Sequence, residues 1–178
     1  MHTAGAANTG TTILSLLHGS GLFTLPGGSL NEGDELEIDA SGQMNTVLTT
    51  PGTLIFTINF GATLDAIAQF TSQAIALNAT AQTNATWSLK MRGVVRSVGS
   101  GTSANILWTG EFTSRAGNGS AVVGTSGVFV IPIPDTAPAT GTGFDSTVSN
   151  IIDLRATLSV AGSMTCMRYK LKHEAWRP

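Results

Sequence analysis

The chain has 178 residues, of which 11% are charged, with a net charge of −2 and a single cysteine. That length suits one domain with a sizeable core. The weakly acidic balance excludes a basic nucleic-acid face, and one cysteine excludes an intrachain disulfide. Charge is scarce against the roughly 25% of an average soluble protein, while Gly, Thr, Ser, Ala and Asn are abundant, a composition that suits an all-β chain burying much of its outside in an assembly.

Residues 1–20 show no strand alternation and read as an N-terminal arm lying outside the core. Ile13, Leu14, Leu16 and Leu17 form its apolar anchor, and a short helical turn also fits there. The segment lacks the basic-then-apolar pattern of a secretory signal. No apolar run reaches the roughly 18–20 residues of a membrane span, so no membrane partner is expected.

From residue 21 the apolar period is two, the signature of half-buried strands. GLFTL (21–25) is a short strand before the Pro26-Gly27-Gly28 turn. ELEIDA places Leu36, Ile38 and Ala40 on one face and Glu35, Glu37 and Asp39 on the other; Ser41-Gly42-Gln43 then reads as a turn into MNTVLTT. After Pro51-Gly52, TLIFTINF aligns Leu54, Phe56, Ile58 and Phe60. Residues 62–78 fit either a helix, through Leu64, Ile67 and Phe70, or two short strands with a bulge, which the Thr, Ile and Phe content favours. TWSLKMRGVVRSV and NILWTGEF follow as strands carrying Trp87 and Trp108 inward. VFVIPI (128–133) contains a proline and reads as an edge. IIDLRATLSV (151–160) and MTCMRYKLKH (164–173) read as a closing hairpin, with Cys166 a small buried hydrophobe. The pattern predicts an all-β antiparallel sandwich of jelly-roll type with eight or nine strands. The arm spans 1–20, the sandwich 21–173 and a C-terminal tail 174–178.

Charge is unevenly placed. Five of the eleven acids fall in Glu32–Asp39, and four of the nine basic residues in Arg168–Arg177. Glu35, Glu37 and Asp39 against Arg168, Lys170 and Lys172 form either two solvated strand faces that pair with each other or complementary patches between subunits. Trp176, in the tail, is a candidate interface anchor.

Motifs for chemistry are weak. RSVGSGTSAN (96–105) fits a loose dinucleotide-binding fingerprint, but that fingerprint needs strand, glycine turn and helix, and SANILWTGEF alternates as a strand. The glycines are better explained by a hairpin turn. His2, His18 and His173 are scattered, so no zinc set is organised, and the acids of 32–39 lie along a strand face rather than around a calcium ion. There is no Gly-x-Ser-x-Gly elbow. Asp145 and Asp153 are carboxylates of the kind a glycosidase pairs, though Asp145 in GTGFDST is placed to bond its own turn. No catalytic residue, metal or cofactor is expected, and the chain is expected not to be an enzyme.

The strings GLFTLP (21–26), ASGQMNTVLTTPGTLIF (40–56), ALNATAQTNATW (76–87), RSVGSGTSANILWTGEFTS (96–114), GTGFDSTVSNIIDL (141–154) and GSMTCMRYKL (162–171) resemble those of a family of small structural proteins of tailed-bacteriophage virions. GSGTSAN and GTGFDST are the most specific of them, and the resemblance covers roughly 21–173. It implies a jelly-roll-like virion component that assembles with itself, as a trimer, and with either the major capsid protein, as a decoration, or the tail and collar proteins, where similar appendages bind host glycans.

Overall fold

The computed structural model describes residues 8–9, 14–17, 22–47, 52–64, 67–117 and 129–176, and among these the chain is all strand and loop, without a helix. Twelve strands run in chain order: β1 (Asn8–Thr9), β2 (Leu14–Ser15), β3 (Phe23–Leu25), β4 (Glu35–Thr46), β5 (Thr53–Gly61), β6 (Ile67–Thr71), β7 (Ile75–Ala76), β8 (Gln82–Ser97), β9 (Asn105–Ser114), β10 (Phe129–Ile133), β11 (Asn150–Leu158) and β12 (Gly162–Glu174). The expected eight or nine are exceeded because three two-residue strands leave no alternation to read.

One antiparallel sheet has the order β1-β12-β4-β8-β9-β10. The other has β2-β11-β5-β6, with β3 also on β11 and β7 also on β5. The two pack face to face as a β-sandwich. Their inner faces are the ones the period of two selects: Leu36, Ile38, Ala40, Leu89, Met91, Ile106, Trp108 and Phe112 from the first, and Leu54, Phe56, Ile58, Phe60, Ile152 and Leu154 from the second. Phe56 meets Phe112 at 5.3 Å between ring centroids, and Phe60 lies 6.3 Å from Trp108 and 4.9 Å from Phe144. The indole of Trp108 fits because Gly93 lies opposite it, where a Cβ would come within 2.8 Å of the ring.

Residues 67–71 and 75–76 are strands, and the β5–β6 register shifts between Ile58 and Asn59, the bulge that the sequence favoured. β10 is an edge strand, with Pro132 paired to Glu111. Three expectations are corrected. Ser41-Gly42-Gln43 is no turn: β4 runs unbroken through it, because Gly42 admits the backbone of β12, where a Cβ would come 1.9 Å from the Thr165 carbonyl oxygen. β11 and β12 are no hairpin, since they lie in different sheets and the chain crosses the sandwich between them. Nor do residues 14–17 lie outside the core. β2 pairs with β11, the Leu16 amide donates to the Leu154 carbonyl at 2.8 Å, and Leu16 and Leu17 are buried in the sandwich's own core.

Candidate functional site

The outer face of the six-stranded sheet collects most of the residues singled out from the sequence. Along β4, Glu35, Glu37 and Asp39 point outward, with Leu36, Ile38 and Ala40 buried between them. β12 needs a device to do the same with its bases. Met164 and Cys166 are buried, so strict alternation would send Arg168, Lys170 and Lys172 inward as well. A bulge between Cys166 and Arg168 absorbs Met167 as an extra residue, reverses the alternation and turns the three bases out.

Register then sets the pattern. Lys172, Glu37, Arg92 and Thr109 form one row across β12, β4, β8 and β9, and Lys170, Asp39, Lys90 and Glu111 form the next. Within these two rows the strands present positive, negative, positive and negative stripes about 4.8 Å apart, and Glu174 adds an acid at the end of β12. The acidic and basic segments pair within one chain. Arg168 reaches Asp39 at 3.1 Å, Arg92 reaches Glu37 at 3.0 Å and Glu35 at 3.5 Å, Lys90 lies 4.0 Å from Glu111, and Lys172 pairs with Glu174. The Glu37 hydrogen bond and the charge of Glu35 raise the Arg92 pKa further, and the Lys172 hydrogen bond lowers that of Glu174. The side chains wall a shallow trough of about 580 Å³ whose floor is the backbone around Ile38, Met91 and Gly110.

Glu35, Glu37 and Glu174 bring carboxylate oxygens within 4.8 Å of one another, a spacing that a cation would accept. Arg92 pairs with Glu35 and Glu37, and Lys172 with Glu174, so two cations already offset most of the cluster's charge.

At one end of this face the tail is tied down. Asp34 is fully buried; its Oδ1 accepts the Trp176 amide at 2.7 Å, and its Oδ2 accepts the Asn31 amide at 2.9 Å and lies 2.9 Å from His173 Nε2. Burial pushes the Asp34 pKa up, but the His173 hydrogen bond and the two amides outweigh it and hold the carboxyl below its ordinary value. The Trp176 indole rests over Gly33 and stays 64% exposed. This buried carboxylate is a structural anchor that alternation hides, since Asp34 reads as one more acid in an acidic run.

The glycine loop does cradle an anion, but the chain's own. The Gly101 amide donates to Asp145 Oδ2 at 2.9 Å, the Thr147 amide to Asp145 Oδ1 at 2.9 Å, and the Gly99 amide to Ser146 Oγ at 2.9 Å. The Thr147 hydroxyl, followed by the Gly101 and Thr147 amides, lowers the Asp145 pKa. Gly143 allows the approach, since a Cβ there would come 1.9 Å from the Thr102 carbonyl oxygen. GSGTSAN and GTGFDST are thus two halves of one interlocked loop pair, and Asp145 makes the turn bond expected of it.

Asp153 lies on a strand rather than in a loop. It is 1% exposed on β11, 2.5 Å from Ser15 Oγ and 3.7 Å from Arg155. Burial raises the pKa of the Cys166 thiol, which holds it in the unreactive form. Of the proposed apolar anchor, Leu16 and Leu17 are core, Leu14 is placed by its backbone in β2, and Ile13 lies outside the described residues, as do His2 and His18. No protein-family model, curated protein or solved structure matches the chain.

Proposed function

We propose that the chain is a non-enzymatic structural subunit of a bacteriophage virion, a jelly-roll-like protein that assembles with itself as a trimer and decorates the capsid by binding the major capsid protein. The observation that carries this reading is the exposed apolar rim of the six-stranded sheet. Val130 on edge strand β10, Met167 at the β12 bulge and Trp176 at its end stand in solvent around the face that carries the ion pairs. Isolated anchors at sheet margins are what a subunit buries on its neighbours, while the compensated face stays soluble. The jelly-roll reading draws support from two nested antiparallel pairs, β4 with β12 in one sheet and β5 with β11 in the other, the arrangement of a rolled-up long hairpin. β8, β9 and β10 depart from that pattern by following one another within one sheet.

Quantitative mass spectrometry of purified particles tests the proposal. Hundreds of copies per particle are expected for a capsid decoration. A few to tens place the chain in the tail or collar instead, and absence from particles overturns the virion reading altogether.

A further inference from the structure

We propose that the free edge of β12 is a docking site for an extended segment of another protein, one that alternates acidic and apolar residues and adds to the six-stranded sheet as a further strand. The proposal does not depend on the virion reading.

The first observation is the edge. β1 covers β12 only at Ser163 and Met164. Among the described residues no strand pairs with residues 165–174 on the side away from β4, and no loop or turn bonds their backbone there. Beyond the bulge, residues 168–174 span about 20 Å of extended chain at about 3.3 Å per residue. Asp34 draws His173 and the Trp176 amide toward the start of β4, on the paired side of β12. The opposite margin of the sheet is closed to such an addition. Pro132 on β10 has no amide to donate, and its carbonyl accepts a hydrogen bond from Gln73 Nε2 at 2.7 Å.

The second observation is the chemistry along that edge, which selects the partner. Lys90 stands between Asp39 and Glu111, with an acid on either side. Lys170 has Asp39 on one side only, and Arg168 engages Asp39 at 3.1 Å. Lys172 is held by Glu174 within its own strand. Lys170 makes no ion pair among the described residues, so an added strand with an acid beside it completes the row. Edge lysines and a bulge keep an arbitrary strand from adding there, while the same bases admit one that carries carboxylates. On the other face of β12, Tyr169 and Leu171 are only partly buried against the core, whereas Met164 and Cys166 are fully buried. Their open flanks suit apolar side chains placed between the acids of the added strand. Backbone hydrogen bonds then supply affinity, and the alternation supplies specificity.

The sequence of β4 itself, ELEIDA, has the required alternation, so the probe is a fluorescein-labelled synthetic peptide of residues 33–41. It is titrated against the full chain by fluorescence anisotropy at low salt. Binding is expected, with hydrogen exchange of alternate amides in residues 168–174 slowed. The same peptide with Gln for Glu and Asn for Asp is expected to bind about tenfold more weakly. Lys170→Glu, at an exposed position, is expected to weaken the parent peptide about as much, with the thermal melt of the chain unchanged. N-methylation of alternate peptide residues is expected to abolish binding in one frame and spare it in the other, a split that charge attraction alone does not produce. The proposal is overturned if the parent peptide does not bind the full chain, if exchange slows on β8 or β9 instead of residues 168–174, or if both N-methylated frames bind alike. Self-association of the chain that the peptide reverses would give the edge to a second copy, and binding only after removal of residues 1–7 would give it to the chain's own N-terminus; either result overturns it too.

Discussion

Asp34 shows how one residue ties distant parts of this chain together. Its carboxylate holds the Asn31 turn, His173 and the Trp176 amide, so it fixes where β12 ends and where the exposed indole stands. Its folded pKa lies below the ordinary 3.8, so it contributes stability that is present above pH 3.8 and lost as pH falls through the folded value. Asp145 acts in the same direction at the loop pair. Asp34→Asn is therefore expected to lower stability by roughly 1–3 kcal/mol at neutral pH and to flatten the loss on acidification, measured by urea melts from neutral pH to below pH 3. Gly42 is the other single-residue dependency. A Cβ there meets backbone, which cannot swing aside, so Gly42→Ala is expected to cost about 1–3 kcal/mol in the same melts.

Among the elements, β12 carries a device with a sharp test. Its bulge absorbs Met167 and so allows Met164 and Cys166 to face in while Arg168, Lys170 and Lys172 face out. Deleting Met167 leaves a regular strand with every other side chain on its present face, and a loss within roughly 0.5–3 kcal/mol is expected. Deleting Lys170 instead forces a choice. Either Leu171 turns out, or the bulge closes and Arg168 turns in, so loss of the cooperative melt is expected. Circular dichroism melts of the two deletions, identical in length, separate these outcomes.

For the whole molecule, the N-terminal residues change role. Leu16 and Leu17 sit in the core and Ser15 bonds Asp153, so removing residues 1–20 is expected to destabilise the sandwich rather than merely detach it from a neighbour. Leu16→Ala alone is expected to cost about 2–5 kcal/mol. A deletion whose melting temperature equals that of the full chain would show that the segment contributes nothing to the fold. The charged face, by contrast, adds little to stability, since exposed ion pairs contribute roughly 0–1 kcal/mol each.

The sequence by itself determined what is local. Period-two alternation marked the long strands and placed Trp87, Trp108, Phe56 and Phe60 inside, Pro132 marked an edge, and the strand that follows GSGTSAN identified its glycines as a turn. The three acids of β4 and the three bases of β12 were likewise visible as opposed faces. Tertiary structure alone decided what depends on partners far along the chain. It showed that Gly42 lies in a strand because Thr165 approaches it, and that β11 and β12 part into different sheets. It also showed that Leu16 belongs to the core, and that Asp34 is an anchor rather than another surface acid. Alternation reports how each residue faces its own strand. It carries no information about which strand lies alongside, and pairing between strands distant in the chain sets the stripes, the trough and the position of Trp176.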